Sequence, residues 1–136
     1  MEIEGIKEFS KAIAEAKAEI RKLVEDEIRK STFRVQSAAV KRIQRGPHTG
    51  RIYEKDNPRR THQSSAPGQP PQNDTGRLAA SIETQVDGLT GYVFTRVEYG
   101  SDLEMGTQKI APRPWLLPSV EEDAPILRNA LTGIIK

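Results

Sequence analysis

Cysteine is absent from the 136 residues, so neither a disulfide nor a thiolate metal site can staple the fold, and the redox compartment stays open. Histidine is nearly absent too. His48 and His62 are the only imidazoles, and neither stands at a carboxylate–histidine spacing that builds a metal site, so both read as surface residues. No uninterrupted apolar run approaches the ~18 residues that a bilayer span needs, and Met1-Glu2-Ile3-Glu4 does not open a signal peptide. A soluble chain with no membrane partner is the expectation, and cytoplasmic synthesis is merely compatible with it. Ser64-Ser65 lacks the glycine-flanked setting of a nucleophile elbow, and no paired carboxylates sit in a catalytic motif, so neither an enzyme nor a cofactor is expected. Apolar side chains are also in short supply, at 35% against the ~45–50% of globular domains, a reference that counts glycine as well. Part of the chain should therefore stay extended or order only against neighbours.

What charge there is lies unevenly. The formal net charge of +2 does not by itself call for nucleic acid, since strong phosphate binding needs a basic face. Basic side chains prevail up to Arg77, and beyond it Glu83, Asp87, Glu98, Asp102, Glu104, Glu121, Glu122 and Asp123 tip the balance acidic. Head-to-tail self-association would suit such a dipole.

The length matches one domain of the usual ~100–200 residues. The reading is a single α+β domain over 1–136: a long helix over 1–45, an extended loop or arm over 46–73, and a β-hairpin, proline-rich segment and C-terminal helix over 74–136. From Ile3 to Gln44 there is no proline and the only glycine is Gly5, which predicts one long helix, or two broken near Ser31-Thr32. Ile6, Phe9, Ile13, Ala16, Ile20 and Leu23 alternate three and four apart and line one stripe, read as intramolecular core. After Leu23 the phase shifts to Val24, Ile28, Val35, Ala39 and Ile43, which places a kink or a change of packing partner near Glu27.

Gly46-Pro47 ends the helix, because proline bars the α region for the residue before it. Prolines and glycines then punctuate the arm to Asn73, with room for a short hairpin around Gly50–Tyr53 and Thr61–Gln63. Asp74 or Thr75 is placed to cap a brief helical turn through Ala80. Ile82, Thr84 and Val86 alternate with polar residues, Asp87-Gly88 signals a turn, and Tyr92 to Val97 is rich in β-branched and aromatic residues, which predicts an antiparallel hairpin. Gly100 to Gly106 suits a short helix. Pro112 to Pro118 must run extended, and a last helix, capped by Ser119 and regular from about Pro125, presents Val120, Ala124, Leu127, Leu131 and Ile134 or Ile135.

Four motifs follow one another in the second half: Ser64-Ser65-Ala66-Pro67-Gly68-Gln69-Pro70-Pro71; Asp74-Thr75-Gly76-Arg77-Leu78 with Ser81-Ile82; Leu103-Glu104-Met105-Gly106-Thr107; and Pro112-Arg113-Pro114-Trp115-Leu116. Their order resembles the morphogenesis or tail-completion family of long-tailed bacteriophages, the head–tail joining or minor tail proteins, over about Tyr53 to Ser119. Two departures stand out: Met105 occupies a place usually aromatic, and Gly100-Ser101-Asp102 is more polar than the pattern before Leu103.

The resemblance implies a small α+β structural protein of the virion neck or upper tail, made in the cytoplasm of a bacterial host and repeated as a ring. A hexamer is the suggested copy number. Implied partners are other copies of itself, head–tail connector proteins and tail-tube or tail-terminator proteins, with packaged DNA close by. Candidate interface residues are Tyr53, Pro67, Pro70, Pro71, Arg77, Leu103, Met105, Pro112, Arg113, Pro114, Trp115 and Leu116. Trp115 fits this domain's own sheet and a neighbour's groove equally well. The arm, unable to build a core of its own, is expected to order on an adjacent subunit. Two alternatives stand beside the joining role. One is a nucleic-acid-binding module using Arg42, Arg45, Arg51, Lys55, Arg59 and Arg60, and the other is an assembly chaperone that leaves the finished particle.

Overall fold

The computed structural model describes residues 4–46, 52–56, 59–63, 66–68, 71 and 76–135. Free of proline and rich in Ala, Glu, Lys and Arg, the first segment forms one helix, α1 (Glu4–Gln44), about 60 Å long at the ordinary helical rise. Of the two alternatives, one long helix or two broken near Ser31-Thr32, the structure shows the first. Thr32 satisfies its own hydroxyl within the helix by donating to the Ile28 carbonyl at 2.7 Å, while Ser31 turns outward to a distant carboxylate.

The arm carries a hairpin of β1 (Ile52–Lys55) and β2 (Arg60–Gln63), antiparallel with Tyr53 opposite His62. Its later part is tied to its own domain: the Gly68 amide donates to the Pro112 carbonyl at 2.8 Å, and Pro71 is buried. A turn of helix follows, α2 (Arg77–Ala80). Gly76 stands at its N-cap with no side-chain cap, and Asp74 and Thr75 lie outside the described residues.

The second hairpin pairs β3 (Glu83–Asp87) with β4 (Thr90–Phe94) around Gly88-Leu89, and Thr84 and Val86 turn inward as their alternation predicts. The strand stops at Phe94 instead of Val97, because Thr95 accepts the Val97 amide at 3.1 Å and closes a turn. Next come α3 (Glu98–Met105) and α4 (Leu117–Ile135). The fold is α+β, with the later half of α1 packed on the β3–β4 hairpin and on α4.

Helix α4 begins eight residues before the proline that was expected to mark its regular start. Pro118 falls in its first turn, where a missing N–H costs nothing, and Pro125 leaves the Glu121 carbonyl without its usual donor on a face where both residues meet solvent. The inward face of α4 is set by Ser119 and Asp123 and continued by Leu127, Leu131 and Ile134, whereas Val120 and Ala124 are exposed.

The core gathers Ala39, Ile43, Leu78, Ala79, Ile82 and Trp115 where the end of α1 meets α2 and the segment before α4. A second correction concerns the stripe. Ile6, Phe9, Ile13, Ile20 and Leu23 are 41–66% exposed, so the first half of α1 supplies no intramolecular core. Only the shifted phase, Val35, Ala39 and Ile43, is covered by the rest of the chain.

Candidate functional site

All four motifs meet in space: Gly68 of the first bonds Pro112 of the fourth, Leu78 and Ile82 of the second share the core with Trp115, and the third holds the fourth most closely. The Glu104 carboxylate on α3 accepts three successive amides that open α4: Trp115 at 2.7 Å, Leu116 at 2.8 Å and Leu117 at 2.8 Å. A helix start leaves N–H groups unpaired, and a carboxylate there meets both the donors and the positive end of the dipole. Ser119 is therefore not the cap. The Leu103 carbonyl accepts the Arg113 amide at 2.6 Å, and Gly106 packs so tightly on Pro112 that a Cβ would come within 2.8 Å of its ring. Its φ of 75° adds a second demand for glycine.

Trp115 is 2% exposed and its indole N–H donates to the Gly100 carbonyl at 2.9 Å. This settles its role as core and removes it from the interface candidates, because a buried ring already paired has no face left for a neighbour. Gly100 is fixed by the space around it. A Cβ there would lie 2.6 Å from Thr95 Cγ2 and 3.1 Å from Leu78, so the residue must be small to seat beside the tryptophan. Met105 is 72% exposed and takes no part in the core. Of the remaining interface candidates, Pro67, Arg77 and Pro112 are exposed, Leu103, Arg113, Pro114 and Leu116 are half-buried, and Pro71 is buried. The side chain of Tyr53, and Pro70 entirely, lie outside the described residues.

A polar seam joins α1 to α4. Buried Asp123 receives the Ser31 hydroxyl and, at 2.5 Å, Arg34 Nε. Fully buried Ser119 donates to the Trp115 carbonyl at 2.9 Å and accepts from Arg42 Nε at 3.1 Å, while Arg42 also pairs with Glu122. Ser31, Ser119 and Asp123 thus each have a partner, as the low interior dielectric requires, whereas buried Arg34 Nη2 has none among the described residues.

Beside this seam a groove of about 530 Å³ is lined by Arg34, Lys41, Arg42 and Arg45 with Glu122. It contains two of the six residues expected to face DNA. Arg51 lies outside the described residues, Lys55 is half-buried on β1, Arg59 is exposed in the β1–β2 turn, and nothing is described of the Arg60 side chain on β2. Arg34 and Lys41 were missed by the sequence reading. Arg34 stands seven residues before Lys41 and eight before Arg42, which brings the three to one side of the helix, a signal that charge counting along the chain passes over.

The uncovered stripe on α1 is the other outstanding surface. Its three heptads hold Ile6, Ile13 and Ile20 at one position and Phe9, Ala16 and Leu23 at the other. Among the described residues, no group of three His, Cys, Asp or Glu gathers to hold a metal, and no helix is long and apolar enough to cross a membrane. Set against family models, curated proteins and solved structures, the chain matches none of them.

Proposed function

We propose that this protein is a structural subunit of a tailed-bacteriophage particle, repeated as a ring at the neck or upper tail, where it joins the DNA-filled head to the tail. The observation that carries the reading is the first half of α1, an apolar face left uncovered by its own chain, which marks a part made for assembly. The motif order supports it further. The residues behind the phage resemblance are wired to one another, Glu104 to the Trp115 segment and Gly106 to Pro112, so they specify a scaffold. Its neighbours are then further copies of itself, connector proteins and tail-tube or tail-terminator proteins, and six copies is the number the resemblance suggests.

Electron microscopy of a lysate from phage lacking this gene tests the role. Filled heads beside unattached tails are expected, and intact infectious particles would overturn it. Mass spectrometry of purified virions separates a resident subunit from an assembly chaperone, which would be missing from them.

The basic groove favours a second reading, contact with nucleic-acid phosphates. Arg34 and Arg42 are occupied by Asp123 and Glu122, whereas Lys41 and Arg45 have no ion pair among the described residues. Two phosphates neutralised would give a slope of log affinity against log salt of about −2, which Lys41→Ala with Arg45→Ala should flatten. Absence of duplex binding at low salt would remove this reading.

A further inference from the structure

The uncovered stripe has a counterpart elsewhere on the same chain. A groove of about 370 Å³ runs between the later half of α1, β4 and α4, walled by Ile28, Val35, Val93, Leu116, Val120 and Leu127. Its rim is open, with Val120 44% and Tyr92 48% exposed. One apolar surface is therefore a ridge on a projecting helix and the other is a trough, and each lacks cover.

A chain cannot place its own ridge in its own trough. Helix α1 is continuous from Glu4 to Gln44 and itself supplies one wall of the groove, so Phe9 stands about 34 Å along the axis from Thr32 at the ordinary rise. The occupant must come from elsewhere. Pairing two stripes as a coiled coil would cover only about 27 Å by 10 Å, near 270 Å² a side. A stable complex uses about 800 Å² a side. A copy that both gives a ridge and receives one makes its contact twice, which a ridge-to-ridge pair does not.

We propose that residues Ile6 to Leu23 of one copy dock in the Ile28–Val120 groove of a second copy of this chain. Because the two surfaces differ, the contact is heterologous and closes into a ring when the rotation between copies permits. It deepens the joining role and rests on that reading for the ring, whereas the contact itself is measured on purified protein. Its failure would leave the lysate experiment untouched.

The test is complementation between two defective surfaces, read by sedimentation of the full chain at tens of micromolar. Ile13→Glu with Ile20→Glu spoils the ridge, and Val120→Glu spoils the groove. All three positions are 41–45% exposed, and far-ultraviolet circular dichroism checks that the fold survives. The native chain should sediment as an oligomer and each variant alone at the 15.2 kDa of one chain. Mixed in equal amounts, the two variants should recover a pair of about twice that mass, since one intact ridge still meets one intact groove. A native chain that stays monomeric overturns the proposal. So does a Val120→Glu protein that still associates alone, which would mean that ridge meets ridge, and so does a mixture that stays monomeric.

Discussion

Glu104 does at long range what a serine or aspartate does locally at a helix start. Three amides converge on one carboxylate, and hydrogen bonds to a charged group contribute about 1.5–3 kcal/mol where they are sheltered. Glu104→Ala should therefore lower stability by about 2 kcal/mol in urea unfolding, and Glu104→Gln, with a single acceptor oxygen and no charge, should fall between. A loss within experimental error for Glu104→Ala would show that water serves these amides as well. Gly91 is a second single-residue constraint, set by space. A Cβ there would stand 1.9 Å from Thr32 Oγ1, at the point where β4 crosses α1. Gly91→Ala is expected to cost 1 kcal/mol or more on the usual scale of overpacking, about 1–3 kcal/mol. Thr32→Ala removes the colliding oxygen, so the double variant should be more stable than the sum of the two losses, and strict additivity would show that the strand moves away instead.

At the scale of elements, α1 teaches where sequence reading succeeds and where it stops. Its span, the two strands around Asp87-Gly88 and the short helix before Gly106 were all legible, because propensity and period are local properties. The partner of an apolar face is not local. The stripe from Ile6 to Leu23 has the stricter heptad and the larger side chains, yet the structure buries Val35, Ala39 and Ile43 instead, for it is there that α2, β3 and α4 return. The start of α4 was misplaced for a related reason. Its cap is Glu104, eleven to thirteen residues back from the amides it holds, so no motif around Ser119 could reveal it. The same logic gives a contrast within one helix. Ile43→Ala should cost about 2–5 kcal/mol by opening a cavity, and Ile13→Ala, measured in dilute protein, less than about 0.5 kcal/mol. Equal losses in urea titrations would place the first half of α1 in the monomer's core after all.

On the whole molecule, the charge asymmetry along the sequence does not become a dipole of the same size. The acidic C-terminal third folds back along the basic end of α1, so that Asp123 meets Arg34 and Glu122 meets Arg42, and two of the eight acidic residues that made up the asymmetry are paired with it within one chain. The proposed docking of ridge in groove has a consequence that charge pairing between copies would not share. Attraction between opposite ends of two copies would weaken as added salt shortens the ~10 Å screening length, whereas contact between uncharged surfaces is insensitive to it or gains slightly in sulfate. The oligomer mass, followed by sedimentation from low to high sodium chloride and then in sulfate, should hold constant or rise. A steep fall toward the monomer would return the association to the charges, and with it the basic groove of Arg34, Lys41, Arg42 and Arg45 as the surface that a second copy's acidic residues occupy.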